Sequence, residues 1–284
     1  MEIIFDLLPK EIKDYIISLT KNKVFELCQV NKYFDANCKR IRIVDNSKYH
    51  ELTDSNLNTL TNITSLNLSH YNKINVITDE GIKGLIKLTS LNLYSNNVIT
   101  DKGIKGLANL TFLDLSYNNV ITDDVINKLI NLSSLNLYSN HTITNKGIET
   151  LTNLTYLDLC NNKVITDDGI KGLTNIITLG LDNNKRVTNE GLKELINLKS
   201  LDLSSINMIT NEGLKTLTNL TFLSLSYNDV ITNDGVTNLI NLTSLNLYNN
   251  DIITKEGIKE LIGLTDFNSY SNIINTGNPV MKIW

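Results

Sequence analysis

The stretch LTYLDLCNNKVITDDGIKGLTN, residues 154–175, decides the fold of this 284-residue chain. Leu157 and Leu159 are two residues apart, so a strand here would place both side chains on one face. Asn162 follows at the point where the chain leaves that strand, and its amide can bond backbone groups in the turn. Thr166, followed by an aspartate, is typical of a helix N-cap. The stretch therefore predicts a short strand, a turn and a short helix.

The same pattern recurs along the chain, and Leu or Ile opens a repeat every 22 residues, at positions 88, 110, 132, 154, 176, 198, 220, 242 and 264. An earlier repeat opens at Ile63 and is three residues longer. We count repeat positions from the opening residue, so that Leu154 is position 1. Gly occupies position 16 in eight of nine repeats, with Val125 as the exception. Because glycine has no Cβ, it allows neighbouring repeats to approach closely.

A single repeat cannot be stable alone. Burial of its apolar side chains contributes about 2 kcal/mol each, whereas fixing the backbone costs about 1–2 kcal/mol per residue. Only stacking of repeats adds the missing burial and backbone hydrogen bonds. The pattern therefore predicts about ten stacked repeats that form a curved parallel sheet inside and short helices outside. The asparagine at position 9 would then form a ladder from one repeat to the next.

Residues 52–272 resemble leucine-rich repeats, because they repeat the core L-x-x-L-x-L-x-x-N many times. The resemblance implies an α/β solenoid with a curved parallel sheet and short convex helices. Such solenoids bind partners on the concave sheet face, which presents an extended array of side chains on a rigid scaffold. We expect positions 3, 5 and 7 of each repeat to face outward there.

The concave face combines small polar residues with aromatic and acidic side chains. Adjacent strands lie about 4.8 Å apart, so Asp158, Asp182 and Asp202 would lie within about two strand spacings of one another. Gly180 would leave a shallow gap between them. We interpret this as a binding site for a basic segment of a target protein, and the candidate residues are Phe112, Asp114, Tyr156, Asp158, Asp182, Asp202 and Phe222. The alternative is a solvated acidic face that only keeps the solenoid soluble.

The composition argues against other kinds of function. The net charge of −4 disfavours nucleic acid as a partner, because phosphate binding needs a basic stripe. His50, His70 and His141 lie far apart and have no nucleophile at a recurring offset, so we expect no catalytic activity. No cluster of ligands suggests a metal or a cofactor. Without a signal peptide or an apolar run long enough for a membrane span, we expect an intracellular protein, cytoplasmic or nuclear.

Residues 1–44 do not follow the repeat. Leu8-Pro9-Lys10-Glu11-Ile12, then Ile16, Leu19, Leu27 and Val30-Asn31-Lys32-Tyr33-Phe34 resemble an F-box over about residues 4–43. The connection Thr20–Lys23 departs from that family because it lacks the usual Asp-Leu pair. The resemblance implies an all-α helical cap at 1–44 before a leucine-rich-repeat domain at 45–284. The turn signal Asn275-Thr276-Gly277-Asn278-Pro279 separately indicates a C-terminal cap at 273–284.

An F-box followed by leucine-rich repeats implies a substrate-recognition adaptor of a ubiquitin ligase. Leu8, Pro9, Ile12, Ile16 and Val30 would then contribute to the surface for a Skp1-like adaptor. The repeats would hold the protein to be modified, and the chain would otherwise be monomeric. The alternative is a plain interaction scaffold whose N-terminal helices only cover the first repeat.

Overall fold

The computed structural model describes residues 43–45, 53–69, 77–205 and 208–268. The chain divides into two compact units, Met1–Asp114 and Leu115–Trp284. The helices expected within residues 1–42 and the cap expected at 273–284 lie outside the described residues.

The first unit alternates short parallel strands with short helices. Its elements are β1 (Ile43–Asp45), α1 (Asp54–Thr59), β2 (Ser65–Asn67), α2 (Asp79–Ile82), β3 (Ser90–Asn92), α3 (Asp101–Ile104) and β4 (Phe112–Asp114). The strands pair in parallel in chain order, β1 to β4. Leu66 lies opposite Leu91, which shows that the longer repeat keeps the register of the leucines. Strand β1 crosses the boundary that the sequence suggested between residues 44 and 45.

The second unit continues the alternation at the 22-residue period. Its elements are α4 (Asp123–Ile126), β5 (Ser134–Asn136), α5 (Asn145–Ile148), β6 (Tyr156–Asp158), α6 (Asp167–Ile170), β7 (Thr178–Gly180), α7 (Asn189–Leu192), β8 (Ser200–Asp202), α8 (Asn211–Leu214), β9 (Phe222–Ser224), α9 (Asn233–Val236), β10 (Ser244–Asn246), α10 (Lys255–Ile258) and β11 (Asp266–Asn268). Strands β5 to β11 pair in parallel in chain order.

The core consists of the leucines and isoleucines that define the repeat. Leu157 and Leu159 are fully buried, as are Ile165, Ile170 and Leu173 of the same repeat. In β6 the middle residue is buried and its two neighbours are half-buried, which is the period-2 alternation that the L-x-L step predicts.

The predicted asparagine ladder is present at position 9. Asn162 is fully buried, and its Oδ1 accepts the backbone N–H groups of Val164 (3.0 Å) and Ile165 (2.9 Å). Its Nδ2 donates to the carbonyl oxygen of Asn140, 2.7 Å away in the preceding repeat. Each asparagine thus satisfies backbone groups of two repeats that would otherwise be buried without partners.

A second polar ladder runs along the helix side and joins the residue after each N-cap threonine to the threonine of the next repeat. Where that residue is aspartate, the carboxylate accepts both the N–H and the hydroxyl of the threonine. The pairs are Asp54–Thr78, Asp79–Thr100, Asp123–Thr144 and Asp167–Thr188. Each of these threonines also accepts the backbone N–H two residues on, as an N-cap does.

Asparagine changes this arrangement. Asn145 Oδ1 accepts the N–H of Thr166 at 3.0 Å, but its Nδ2 donates to the Thr166 hydroxyl at 2.8 Å. The same pairing joins Asn189–Thr210, Asn211–Thr232 and Asn233–Thr254. In all four cases the threonine side chain makes no cap hydrogen bond. The residue one repeat earlier therefore decides whether the predicted threonine cap forms.

The glycine at position 16 makes room for this ladder. A Cβ on Gly191 would lie 2.5 Å from Asp167 Oδ1, and one on Gly169 would lie 2.7 Å from Asn145 Oδ1. The Asp or Asn side chain of one repeat thus occupies the space above the glycine of the next. This is the close approach that the recurring glycine predicts.

Candidate functional site

The open face of the sheet carries the side chains at positions 3 and 5. Tyr156 and Asp158 of β6 and Phe222 of β9 are half-buried there, beside fully buried leucines at position 4. Position 5 also has a structural task. Asp158 Oδ1 accepts the backbone N–H of Cys160 at 2.8 Å, and Asp202 Oδ1 accepts that of Ser204 at 2.9 Å. These aspartates fix the turn at the end of the strand.

Three aspartates of the second unit lie on or just after neighbouring strands. The register places Asp158 of β6 opposite Gly180 of β7, and Gly180 opposite Asp202 of β8. Asp182 follows Gly180 by two residues. A Cβ on Gly180 would lie 2.9 Å from both Asp158 Oδ1 and Cys160 Sγ. Glycine therefore leaves the space that these two side chains occupy.

The electrostatics of Asp182 reflect its neighbours. Partial burial raises the pKa of its carboxyl group, the charges of Asp202 and Asp158 raise it further, and a hydrogen bond with the Ser205 side chain opposes the shift. The three carboxylates thus share one field. A cationic group placed beside them would relieve this repulsion.

Position 7 follows the outward expectation only in part. Tyr94, Tyr138, Asp182 and Tyr248 are half-buried there, whereas Ser116, Cys160, Ser204 and Ser226 are buried. The position-5 side chain accepts the backbone N–H of half-buried Tyr138 as it does that of buried Cys160, so this turn does not by itself decide the burial. Burial, followed by the charge of Asp158, raises the pKa of the Cys160 thiol. The thiol therefore stays protonated and is a poor nucleophile.

Position 8 was not singled out from the sequence, although it has the most unusual backbone. Its residues all have φ between 50° and 55°, in the left-handed region; they are Ser95, Tyr117, Ser139, Asn161, Asn183, Ser205, Tyr227 and Asn249. Most are Ser or Asn, and Asn is enriched in this conformation. The two tyrosines depart from that pattern and are 42% and 56% exposed.

Each of these tyrosines packs against a tyrosine of the next repeat. The Tyr117 and Tyr138 rings lie 5.2 Å apart, and the Tyr227 and Tyr248 rings lie 5.5 Å apart. The backbone sets both pairs, since the N–H of Tyr117 donates to the carbonyl of Tyr138 and that of Tyr227 to Tyr248. A hydrogen bond between the Tyr117 and Tyr138 side chains raises the pKa of Tyr138.

Models of the leucine-rich-repeat family match most of the described repeats. One model, "Leucine rich repeat", matches residues 61–120. A second, "Leucine Rich repeat", matches residues 128–151, 150–174, 194–218, 216–240 and 238–261. The chain belongs to the leucine-rich-repeat proteins. Neither model covers residues 1–44, and no curated protein sequence matches the chain.

Solved leucine-rich-repeat structures share the fold. An internalin from Listeria monocytogenes is 24% identical, with a TM-score of 0.57 over 89% of this chain and 88% of its own. Internalin C2 from the same organism is 30% identical, with a TM-score of 0.54 over 68% of this chain and 84% of its own. TLR13, solved as a complex with ssRNA13, is 26% identical, with a TM-score of 0.62 over 80% of this chain but only 36% of its own.

The predicted site residues fall into three groups in this leucine-rich-repeat chain. Tyr156, Asp158, Asp182, Asp202 and Phe222 belong to the second unit, and Phe112 and Asp114 end the first. The residues expected to contact a Skp1-like adaptor, Leu8, Pro9, Ile12, Ile16 and Val30, lie outside the described residues.

Two features are absent from the described residues, a metal-binding cluster and a membrane-spanning helix. Among these residues no three His, Cys, Asp or Glu side chains are grouped as a metal ion would require. Within the same ranges, no helix has the length and apolar character needed to cross a bilayer.

Proposed function

We propose that this protein is a non-catalytic interaction scaffold whose second unit binds another protein on the open face of its sheet. The observation that carries the proposal is the alternation of side-chain burial over positions 3, 4 and 5 of one strand. In β6, Leu157 is fully buried, whereas Tyr156 and Asp158 on either side are half-exposed. Repeated over neighbouring strands, this gives a fixed array of aromatic and acidic groups on a scaffold that is rigid because its core is closed.

Charge favours a protein over a nucleic acid. TLR13 is solved with an RNA, but the face proposed here carries Asp158, Asp182 and Asp202 on or just after neighbouring strands. The whole chain has a net charge of −4. Phosphates would be repelled by this row. A partner with basic side chains would instead find a complementary field.

The chemistry of the face supports the proposal that the protein is not an enzyme. The three aspartates lie on an open sheet face, without the enclosed pocket in which a catalytic acid and base work. A shallow cavity of about 440 Å³ near the start of β6 to β8 is lined by Asn153, Thr155, Asn175, Ile177, Asn197 and Lys199. These amides, hydroxyl and single amine do not form a nucleophile and base.

The test compares two faces of the second unit with the same change of charge. One variant carries Asp158, Asp182 and Asp202 all changed to Asn. Its matched control carries the exposed helix-side residues Asp124, Asp168 and Asp234 changed to Asn. We expect capture of protein partners from a eukaryotic lysate, quantified by mass spectrometry, to fall for the sheet-face variant only. Equal recovery by both variants, at low and at physiological salt, would refute the proposal.

A second candidate function rests on the sequence of the N-terminal segment. Leu8-Pro9-Lys10-Glu11-Ile12 and Val30-Asn31-Lys32-Tyr33-Phe34 resemble an F-box, which implies binding to a Skp1-like adaptor and delivery of the captured protein to a ubiquitin ligase. Co-purification with Skp1 tests it. Wild type should recover Skp1, and a Pro9→Ala/Ile12→Asp double variant should not. If neither recovers it, the chain is the plain scaffold.

A further inference from the structure

The two tyrosine pairs are one arrangement used twice. The sequence around the first, TFLDLSYNNVITDD at 111–124, is nearly repeated around the second, TFLSLSYNDVITND at 221–234. Both pairs join position 8 of one repeat to position 7 of the next, with ring centroids 5.2 Å and 5.5 Å apart. Among the described repeats, position 8 otherwise holds Ser or Asn, so the fold itself does not require a tyrosine there.

The pairs lie at a defined spacing within the second unit. Tyr138 follows β5 and Tyr248 follows β10, and the strands between them pair in register. Five strand spacings of about 4.8 Å span about 24 Å. An extended chain advances at most about 3.3–3.6 Å per residue, so a segment of about seven residues reaches from one pair to the other.

Between the two pairs, the row of position-7 residues is acidic and most of its side chains are small. At position 7 it holds Cys160, Asp182, Ser204 and Ser226, and three of these four side chains are buried. Asp158 and Asp202 lie beside it at position 5. Asp182 also acts electrostatically on Tyr138, which places this tyrosine of the first pair within the field of Asp182. The exposed Lys163, Lys185 and Arg186 come after the position-9 residues of the repeats that carry Asp158 and Asp182.

We propose that this row, from the Tyr117–Tyr138 pair to the Tyr227–Tyr248 pair, binds an extended arginine-rich protein segment of about seven residues. An arginine stacks on each tyrosine pair, and the basic side chains between them lie against Asp158, Asp182 and Asp202. Guanidinium groups stack on aromatic faces and pair with carboxylates, so one residue type satisfies both features. The inference rests on the proposed scaffold function and names the chemistry of its partner.

Fluorescence anisotropy with labelled peptides tests the inference on the full chain. The probe is RGRGRGR, whose four arginines lie on one side of an extended strand. EGEGEGE reverses the charge, RGR is too short to bridge the pairs, and a heptauridylate represents single-stranded RNA. We expect RGRGRGR to bind most tightly, with an affinity that falls as salt is added.

The matched variants use residues that the fold already accepts. Three other repeats have serine at position 8 with the same left-handed backbone, namely Ser95, Ser139 and Ser205. Tyr117→Ser and Tyr227→Ser should therefore leave the backbone conformation intact. Each single variant should lose about two- to fivefold in affinity for RGRGRGR, in line with an exposed cation–π contact. The double variant should bind RGRGRGR no more tightly than wild type binds RGR. The helix-side variant, with Asp124, Asp168 and Asp234 changed to Asn, should bind RGRGRGR like wild type.

Two results would overturn the inference: equal binding of RGRGRGR by wild type and the double tyrosine variant, or tighter binding of EGEGEGE or of the heptauridylate. A different result would refute the scaffold proposal, namely equal capture of protein partners by the sheet-face and helix-side variants. That experiment does not depend on these peptides.

Discussion

The Asp167 carboxylate binds Thr188 of the next repeat twice, accepting its backbone N–H and its hydroxyl, each at 2.7 Å. With its own proton directed at Asp167, the Thr188 oxygen is free to accept the N–H of Glu190 at 3.3 Å and cap helix α7. Asn145 instead donates to the hydroxyl of Thr166, and that cap is missing. One atom in the preceding repeat thus controls whether the threonine caps its helix.

Changing Asn233 to Asp should strengthen the repeat that follows. The new carboxylate would accept the Thr254 hydroxyl, which would then cap α10, where Lys255 also offsets the added charge. A threonine cap contributes about 0.5–1 kcal/mol. Urea unfolding should show this gain for Asn233→Asp and a comparable loss for Asp167→Asn. If the free energy of unfolding changed in the same direction in both variants, the proposed control of the threonine cap would be contradicted.

Gly191→Ala should destabilise the second unit because the new Cβ would collide with Asp167 Oδ1, 2.5 Å away. Displacing that carboxylate breaks its bonds to Thr188, and overpacking of this kind costs about 1–3 kcal/mol. Gly172→Ala is the control, since nothing lies within 4 Å of its Cβ position. Thermal unfolding should separate the two variants; similar melting temperatures would mean that the ladder is not rigid.

The effect of Asp182 on stability should depend on pH. Its pKa is raised in the folded chain, chiefly by burial and by Asp202, so the folded state binds this proton more tightly and stability falls as pH rises through that range. Asp182→Asn should therefore be more stable than wild type at neutral pH. Solvent screening of a half-exposed group limits the gain to below about 1 kcal/mol. The difference should vanish below the unfolded-state pKa of about 3.9, and a constant difference from pH 3 to pH 7 would contradict this origin.

Asn162→Ala should reduce the stability of the fold far more than Asn153→Ala does. Asn162 is fully buried and serves backbone groups of two repeats, and each buried group left unsatisfied costs about 1–3 kcal/mol. Asn153 makes one exposed bond, from Nδ2 to the carbonyl of Ile130 at 2.9 Å, which water can replace. Chemical denaturation of both variants measures the difference in free energy of unfolding. Equal losses of stability would show that burial does not determine how much each asparagine contributes.

The periodic part of the fold could be predicted from the sequence because each position repeats one physical task. Leu157 and Leu159 marked the strand, Asn162 the buried ladder, and Gly169 the close approach of repeats. The bonding partner of the threonine cap was less accessible, because Asp167 and Thr188 are 21 residues apart and meet only after stacking.

The site was harder to predict because it depends on where the strand ends. Extending the alternation of the strand predicts that position 7 faces outward, which holds for half-buried Tyr138 and Asp182 but not for buried Cys160. Position 8 carried a usable signal, since Asn161, Asn183 and Asn249 recur where the backbone is left-handed. The exception to that pattern, Tyr227, then identifies the aromatic pair.

Site-specific photo-crosslinking tests the central claim, that the open sheet face of the second unit binds a protein, most directly. A benzophenone amino acid replaces Tyr156 on the sheet face or, as control, the exposed Asp168 on the helix side. After irradiation in cells and denaturing purification, we predict a discrete crosslinked protein for the probe at position 156 and none for the probe at 168. Crosslinks from position 168 alone, or the same products from both positions, would contradict the account.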